Sequence, residues 1–142
     1  MTSRIEDRKL KNKAILFDEF SNIFEKLAQE SRLGVPIIVE GKRDAEALRK
    51  LGVRGEIVLI KSIRGLRRSF EERSIRRVIL LPDLDEEGER LLKLVKQSLE
   101  GVVKEIDVSY WKKLKIFKKL GFTQVETMHL LLERIRPRRS PI

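Results

Sequence analysis

The spacing of hydrophobic residues changes from helical to strand-like about a quarter of the way along the chain. Over residues 6–31, apolar positions recur every three or four residues on one stripe, which predicts an amphipathic helix ended by Gly34 and Pro36. Short runs rich in β-branched residues follow and predict four strands, at residues 35–40, 56–60, 77–81 and 102–108. Helical patterns separate and follow these strands at residues 44–51, 65–74, 86–99, 110–120 and 123–135.

This alternation predicts an α/β fold, with a four-stranded, mainly parallel, Rossmann-like sheet that carries helices on both faces. The chain has 142 residues, enough for one domain and too few for two full cores. We divide it into an N-terminal amphipathic helix (1–32), a core (33–110) and C-terminal helices with a basic tail (111–142), all packed as one domain. Parallel sheets bind ligands at the carboxyl ends of their strands, so residues that directly follow a strand are the first candidates for a site.

Acidic residues follow the first and third predicted strands. Glu40 and Gly41 close the first strand, and Asp83 and Asp85 follow the third. If these strands are neighbours, as we expect at the centre of the sheet, three carboxylates converge and their repulsion raises at least one pKa. A hard cation relieves this repulsion, and Mg²⁺ suits two or three carboxylates that leave waters for a phosphate to displace. A second interpretation of Asp85 is that it caps the helix that follows, and we expect Asp107 to cap the helix after the fourth strand.

The two acidic motifs, on this order of strands, resemble the Toprim domain shared by topoisomerases, bacterial-type primases and some small nucleases. The family pattern is Glu-Gly closing the first strand, Asp-x-Asp closing the third, and a glycine early in the next helix. The matching places here are Glu40-Gly41, Asp83-Leu84-Asp85 and Gly88. The resemblance covers roughly residues 33–110, and residues 37–52 look especially like small stand-alone Toprim proteins.

The resemblance implies roles for individual residues. Glu40 is expected to act as general acid or base and as a further candidate metal ligand, while Asp83 and Asp85 are expected to hold Mg²⁺. The alternative is a coincidental acid cluster on an unrelated flavodoxin-like sheet.

Basic residues outnumber acidic ones by 32 to 22, giving a formal net charge of +10 and a pI near 10.1. That excess favours polyanionic partners, nucleic acid first and an anionic membrane surface second. A charged surface also fits a hyperthermophile, as do the absence of Cys and the presence of only two Met, and the two interpretations are compatible. The candidate nucleic-acid-binding residues follow the first and second strands: Lys42, Arg43, Lys61, Arg64, Arg67 and Arg68.

Lysines also alternate with aromatic residues over residues 110–120. Tyr110 and Trp111 beside these lysines could stack on bases. The alternative, which we expect for Trp111, is that it forms a buried stripe with Leu114 and Phe117 and leaves the lysines in water.

Several classes of function are excluded by what the sequence lacks. Without Cys and with a single His, the chain has no disulfide, no cysteine nucleophile and no zinc site built from several histidines. It has no apolar run of bilayer length and no signal-like start, so we expect a cytoplasmic protein with no membrane association.

The resemblance implies one of two functions. The first is a Mg²⁺-dependent nuclease, a hydrolase acting on structured RNA or DNA. The alternative is a catalytically idle Toprim module that binds metal and nucleic acid within a larger assembly and therefore has a protein partner. A complete topoisomerase, a primase or an ATP-dependent nuclease would need further domains or motifs, such as a Gly-rich phosphate loop ending in Gly-Lys-Ser/Thr.

Overall fold

A four-stranded parallel sheet organises the chain, which a computed structural model describes over residues 13–120 and 124–136. The strands lie in the order β2-β1-β3-β4, and each neighbouring pair is parallel. Their bounds are β1 Ile37–Val39, β2 Ile57–Leu59, β3 Arg77–Leu80 and β4 Glu105–Asp107. The predicted α/β fold is therefore confirmed, and so is the central pairing of the first and third strands.

Helices cover both faces of this sheet, as βαβ connections between parallel strands require. Within the described residues they are α1 Lys13–Arg32, α2 Lys42–Lys50, α3 Ile63–Glu71, α4 Glu86–Leu99, α5 Ser109–Leu114 and α6 Met128–Ile135. Two 3-10 turns complete the chain, at Lys115–Leu120 and Val125–Thr127. The parts of the predicted elements at residues 6–12 and 123, and the basic tail from residue 137, lie outside the described residues.

One predicted helix, at residues 110–120, is α-helical only in its first half. From Lys115 the chain tightens into a 3-10 turn. Residues three apart are eclipsed in a 3-10 helix, and Leu114 and Phe117 are both fully buried here. Both side chains therefore stay on the buried side, as the apolar pattern predicts, although the type of helix changes between them.

The core is richest at the two central strands. Ile37, Ile38 and Val39 of β1 are wholly buried, whereas the edge strand β2 is only half-buried. The N-terminal and C-terminal helices join the same core, with the ring of Phe20 from α1 meeting that of Phe117 edge-on at 5.1 Å. This shared core supports the packing of 1–32, 33–110 and 111–142 as one domain, which stays a prediction.

Candidate functional site

The carboxyl ends of β1 and β3 bring the two acidic motifs together. The strands pair in register at Ile38 and Leu80, and the Leu81 amide donates to the Ile38 carbonyl at 2.8 Å. Two residues further on, the Asp83 amide donates a hydrogen bond to Glu40 Oε1 at 3.0 Å. The structure therefore places Glu40 directly against Asp83, as the order of the strands predicts.

Asp83 is held by residues from the C-terminal part of the chain. Its carboxylate accepts the Val125 amide at 2.8 Å, and its carbonyl accepts the Trp111 indole N–H at 2.9 Å. Burial raises the pKa of Asp83 to about 7, and repulsion from Glu40 and other carboxylates adds to the rise, while the Val125 hydrogen bond opposes it. Neither Val125 nor Trp111 carries a sequence signal that marks it as a support for this site.

The pKa of Glu40 is also raised, first by burial and then by the neighbouring carboxylates Asp44, Asp85 and Glu87. The hydrogen bond from the Asp83 amide acts in the opposite direction. The predicted repulsion among carboxylates is therefore present, and it affects both strand-end acids.

Asp85 is the N-cap of α4, and its side chain accepts the Gly88 amide at 2.7 Å. The capping interpretation of Asp85 is therefore confirmed. Gly88 is buried in the first turn of α4, where a Cβ atom would lie 1.8 Å from the carbonyl oxygen of Asp83. Only a residue without a side chain allows α4 to begin this close to the end of β3.

Asp44 belongs to the site although the sequence pattern indicated only a helical position. It is 7% exposed, accepts the Gly41 amide at 2.9 Å, and has a pKa raised chiefly by burial. The sequence does place Asp44 in the first turn of α2, but an acid at that position indicates helix capping and does not indicate a functional site. Asp44 lines a concavity with a volume of about 350 Å³, together with Glu40, Asp83 and the exposed Lys42 and Arg43.

The acids do not form a ready-made metal cage. Within residues 13–120 and 124–136, no three His, Cys, Asp or Glu side chains converge closely enough to hold a metal ion. The physical reason is that Glu40, Asp83 and Asp85 each direct one oxygen to a backbone amide. Their other oxygens are hard donors that fit Mg²⁺, because this ion is commonly held by one or two carboxylates and keeps several waters.

Most of the predicted nucleic-acid-binding cations are exposed, but Arg67 is partly buried and engaged. Its Nε atom donates to Glu71 Oε1 at 2.9 Å, and its guanidinium also donates to the Ser98 carbonyl. Arg67 therefore ties α3 to the end of α4. Lys61, Arg64 and Arg68 are exposed around the end of β2 and on α3.

Arg67→Ala is expected to lower the free energy of unfolding by about 1–2 kcal/mol, because it removes a charged hydrogen bond between two helices. Arg68→Ala is the matched control on the same helix, and its expected effect is within about 0.5 kcal/mol. Urea unfolding of the two variants measures the difference. Equal stabilities would show that the Ser98 contact contributes nothing.

The side chains of α5 settle the question of base stacking. Trp111, Leu114 and Phe117 are buried, which confirms the predicted buried stripe. Trp111 therefore presents no ring face to a base.

No helix in the described part of the chain is both long enough and apolar enough to cross a bilayer.

Comparison with known proteins places this site in a family context. The model of the Toprim domain matches residues 35–111. A UPF0292 protein of Pyrococcus abyssi is 33% identical over 127 residues, covering 89% of this chain and 96% of its own length. A UPF0292 protein of Methanocaldococcus jannaschii is 30% identical over 79% of this chain and 88% of its own.

A solved structure is also similar. A protein from Aquifex aeolicus superposes with a TM-score of 0.62 and 30% identity, covering 75% of this chain and 94% of its own. The Pyrococcus relatives are small proteins of hyperthermophilic archaea, which agrees with the charged, cysteine-free composition.

Proposed function

Because the chain belongs to the Toprim family, we propose that it is a Mg²⁺-dependent nuclease acting on structured RNA or DNA. Toprim domains generally bind Mg²⁺ and are associated with nucleic acid, so membership supports a metal-binding, nucleic-acid-related module. The observation that carries the proposal of cleavage is the direct contact of Glu40 with Asp83 at adjacent strand ends. Two such acids with raised pKa values are typical of a site that moves protons.

The proposed roles follow from the chemistry of each group. Mg²⁺ held by Asp83 and Asp85 would neutralise charge on a phosphate. Glu40 exchanges a proton, since burial and its acidic neighbours bring its pKa nearer to neutrality. Lys42 and Arg43 lie at the N-terminal end of α2, where cationic side chains and the helix end both attract phosphate.

The direct test uses purified protein with end-labelled RNA hairpins and DNA duplexes, with Mg²⁺ or with a chelator. Cleavage that requires Mg²⁺ supports the proposal. Absence of cleavage on every substrate, while nucleic acid still binds, would contradict it.

That second outcome would favour the alternative, a catalytically idle module that binds metal and nucleic acid within an assembly. One observation supports this alternative: the carboxylates of Glu40, Asp83 and Asp85 each already accept a backbone hydrogen bond. Such bonds would hold the acids in place structurally even without chemistry.

Asp83→Asn is expected to stabilise the protein at about pH 8 by about 1 kcal/mol, or about 2–4 °C in Tm, with solvent screening limiting the gain. The pKa of Asp83 rises from 3.8 to about 7 on folding, so the folded chain binds an extra proton between these values. This extra proton makes its full contribution to the free energy of unfolding below pH 3.8, and the contribution is lost as the pH rises through about 7. Asparagine removes the charge and can still accept the Val125 amide.

Thermal melts with and without Mg²⁺ measure this prediction. Mg²⁺ is expected to raise the Tm of the parent and not that of Asp83→Asn, because a ligand stabilises only the state that binds it. The gain from the substitution should vanish below about pH 3, where Asp83 is largely protonated in both states. Unfolding of the variant at pH 8 would show that Asp83 is structural.

A further inference from the structure

A basic groove lies between α1 on one side and α5 with its following 3-10 turn on the other. The groove has a volume of about 660 Å³ and is lined by one glutamate, by apolar and amide side chains, and by five lysines. The lysines are Lys26 of α1 and Lys112, Lys113, Lys115 and Lys119 of the opposite wall. We propose that this groove binds the phosphate backbone of the nucleic acid, an inference that rests on the proposed function.

The lining of the groove carries more positive than negative charge. Glu19 is the one acidic residue in its lining among the described residues. Lys26 and Lys112, on opposite walls, are exposed and have no hydrogen-bond or ion-pair partner within residues 13–120 and 124–136. Like charges gathered in one concavity repel one another, so an external polyanion is the partner that relieves the repulsion.

Some cations elsewhere in the described residues are paired with carboxylates of the chain itself. Arg73 pairs with Glu56 at 2.6 Å, and Arg77 pairs with both Glu30 and Asp107. The chain therefore supplies carboxylates to cations that hold its structure together. Within the described residues, Lys26 and Lys112 of the groove receive no such pairing, whereas Lys115 lies 3.7 Å from Glu89 Oε1.

The lining of the groove indicates contact with phosphates and not with bases. Its apolar part comes from Ile23 and Ile116, and the neighbouring Trp111 is buried, so no exposed indole is offered for stacking. Lysine is a flexible point charge that binds phosphate without selecting a sequence. The expected ligand is a backbone, recognised about equally in all sequences.

Trp111 connects the groove to the acidic site. Lys115 Nζ lies 4.7 Å over the Trp111 ring and 3.7 Å from Glu89 Oε1, in the first turn of α4. On its other side, Trp111 donates its indole N–H to the Asp83 carbonyl. Only the Trp111 side chain therefore separates Lys115, in the lining of the groove, from Asp83, which contacts Glu40. A nucleic-acid strand bound in the groove would be held close to the acidic concavity.

The test compares two double variants that remove the same charge. Lys26→Ala/Lys112→Ala removes one lysine from each wall. Lys93→Ala/Lys96→Ala removes two exposed lysines of α4 that have no partner in the described part of the chain. Binding of a labelled RNA hairpin and a DNA duplex is titrated against salt, with a chelator present to prevent cleavage. The groove variant is expected to lower the slope of log affinity against log salt by about 1.4–1.8 and to weaken binding on the order of tenfold, while the control stays near the parent.

A second readout needs no variant. Lysine acetylation followed by mass spectrometry is expected to show protection of Lys26 and Lys112 by bound nucleic acid, with Lys93 and Lys96 unprotected. If the parent binds and the groove variant matches the control in slope and affinity, the groove inference is overturned while the proposed function stands. If the parent binds neither RNA nor DNA, the proposed function fails and the groove inference fails with it.

Discussion

Glu40→Gln is expected to reduce Mg²⁺-dependent cleavage by at least about 100-fold, the usual contribution of a positioned general acid or base. Glutamine has nearly the same shape and its carbonyl oxygen can still accept the Asp83 amide, so the local structure is preserved. It cannot exchange a proton. Binding of nucleic acid is expected to hold or tighten, because a negative charge is removed beside Lys42 and Arg43.

The measurement is single-turnover cleavage of a labelled hairpin, with affinity determined in parallel. Glu46→Gln is the matched control, since Glu46 is exposed on α2 and loses the same charge. The control should cleave like the parent. Cleavage by Glu40→Gln at the parent rate would show that another group carries the proton.

Gly88→Ala is expected to destabilise the protein by about 3 kcal/mol or more, the upper range for overpacking a buried position. The added methyl group would lie 1.8 Å from the Asp83 carbonyl oxygen, and a backbone atom at a strand end cannot rotate away. The helix or the strand end must shift instead. That shift would also disturb the contact between Asp83 and Glu40.

Gly41→Ala is the control for this substitution. A Cβ atom at Gly41 would be 3.8 Å from Asp44 Oδ2, an ordinary van der Waals contact, and the φ of −147° suits any residue. Its expected cost is within about 1 kcal/mol. Chemical denaturation of both variants decides the matter, and a Gly88→Ala protein as stable as the parent would mean that α4 does not begin where the structure places it.

Local pattern was enough to predict the sheet and the meeting of its acids. Buried apolar runs indicate parallel strands, and adjacent parallel strands end at the same edge, so Glu40 and Asp83 could be expected to meet. Val125 could not be found this way, because its hydrogen bond to Asp83 spans 42 residues and depends on how α6 packs. The close approach of Gly88 to the Asp83 carbonyl could not be predicted either, because the family motif includes a glycine at this place but does not give the reason for it.

Charge and position predict three carboxylates that converge on a cation; they interact with one another, but within the described residues no three lie close enough together to hold a metal ion. Strand ends fix where a backbone lies, but the direction of a carboxylate depends on the nearest donors. Asp85 shows this, since its best donor is the Gly88 amide of its own helix. Helix capping is local and competes with any shared role.

The hydrogen bond from Val125 to Asp83 has a consequence for synthesis of the chain. A ribosome completes β1, β3 and Asp83 before Val125, which follows Asp83 by 42 residues, is added. Until then Asp83 lacks its contacts with Trp111 and Val125, so neither the hydrogen bonds nor the full burial that set its pKa in the folded chain are in place. The acidic pair therefore reaches its final environment only when Val125 has been added, and a chain that ends before it carries the motif without the finished site.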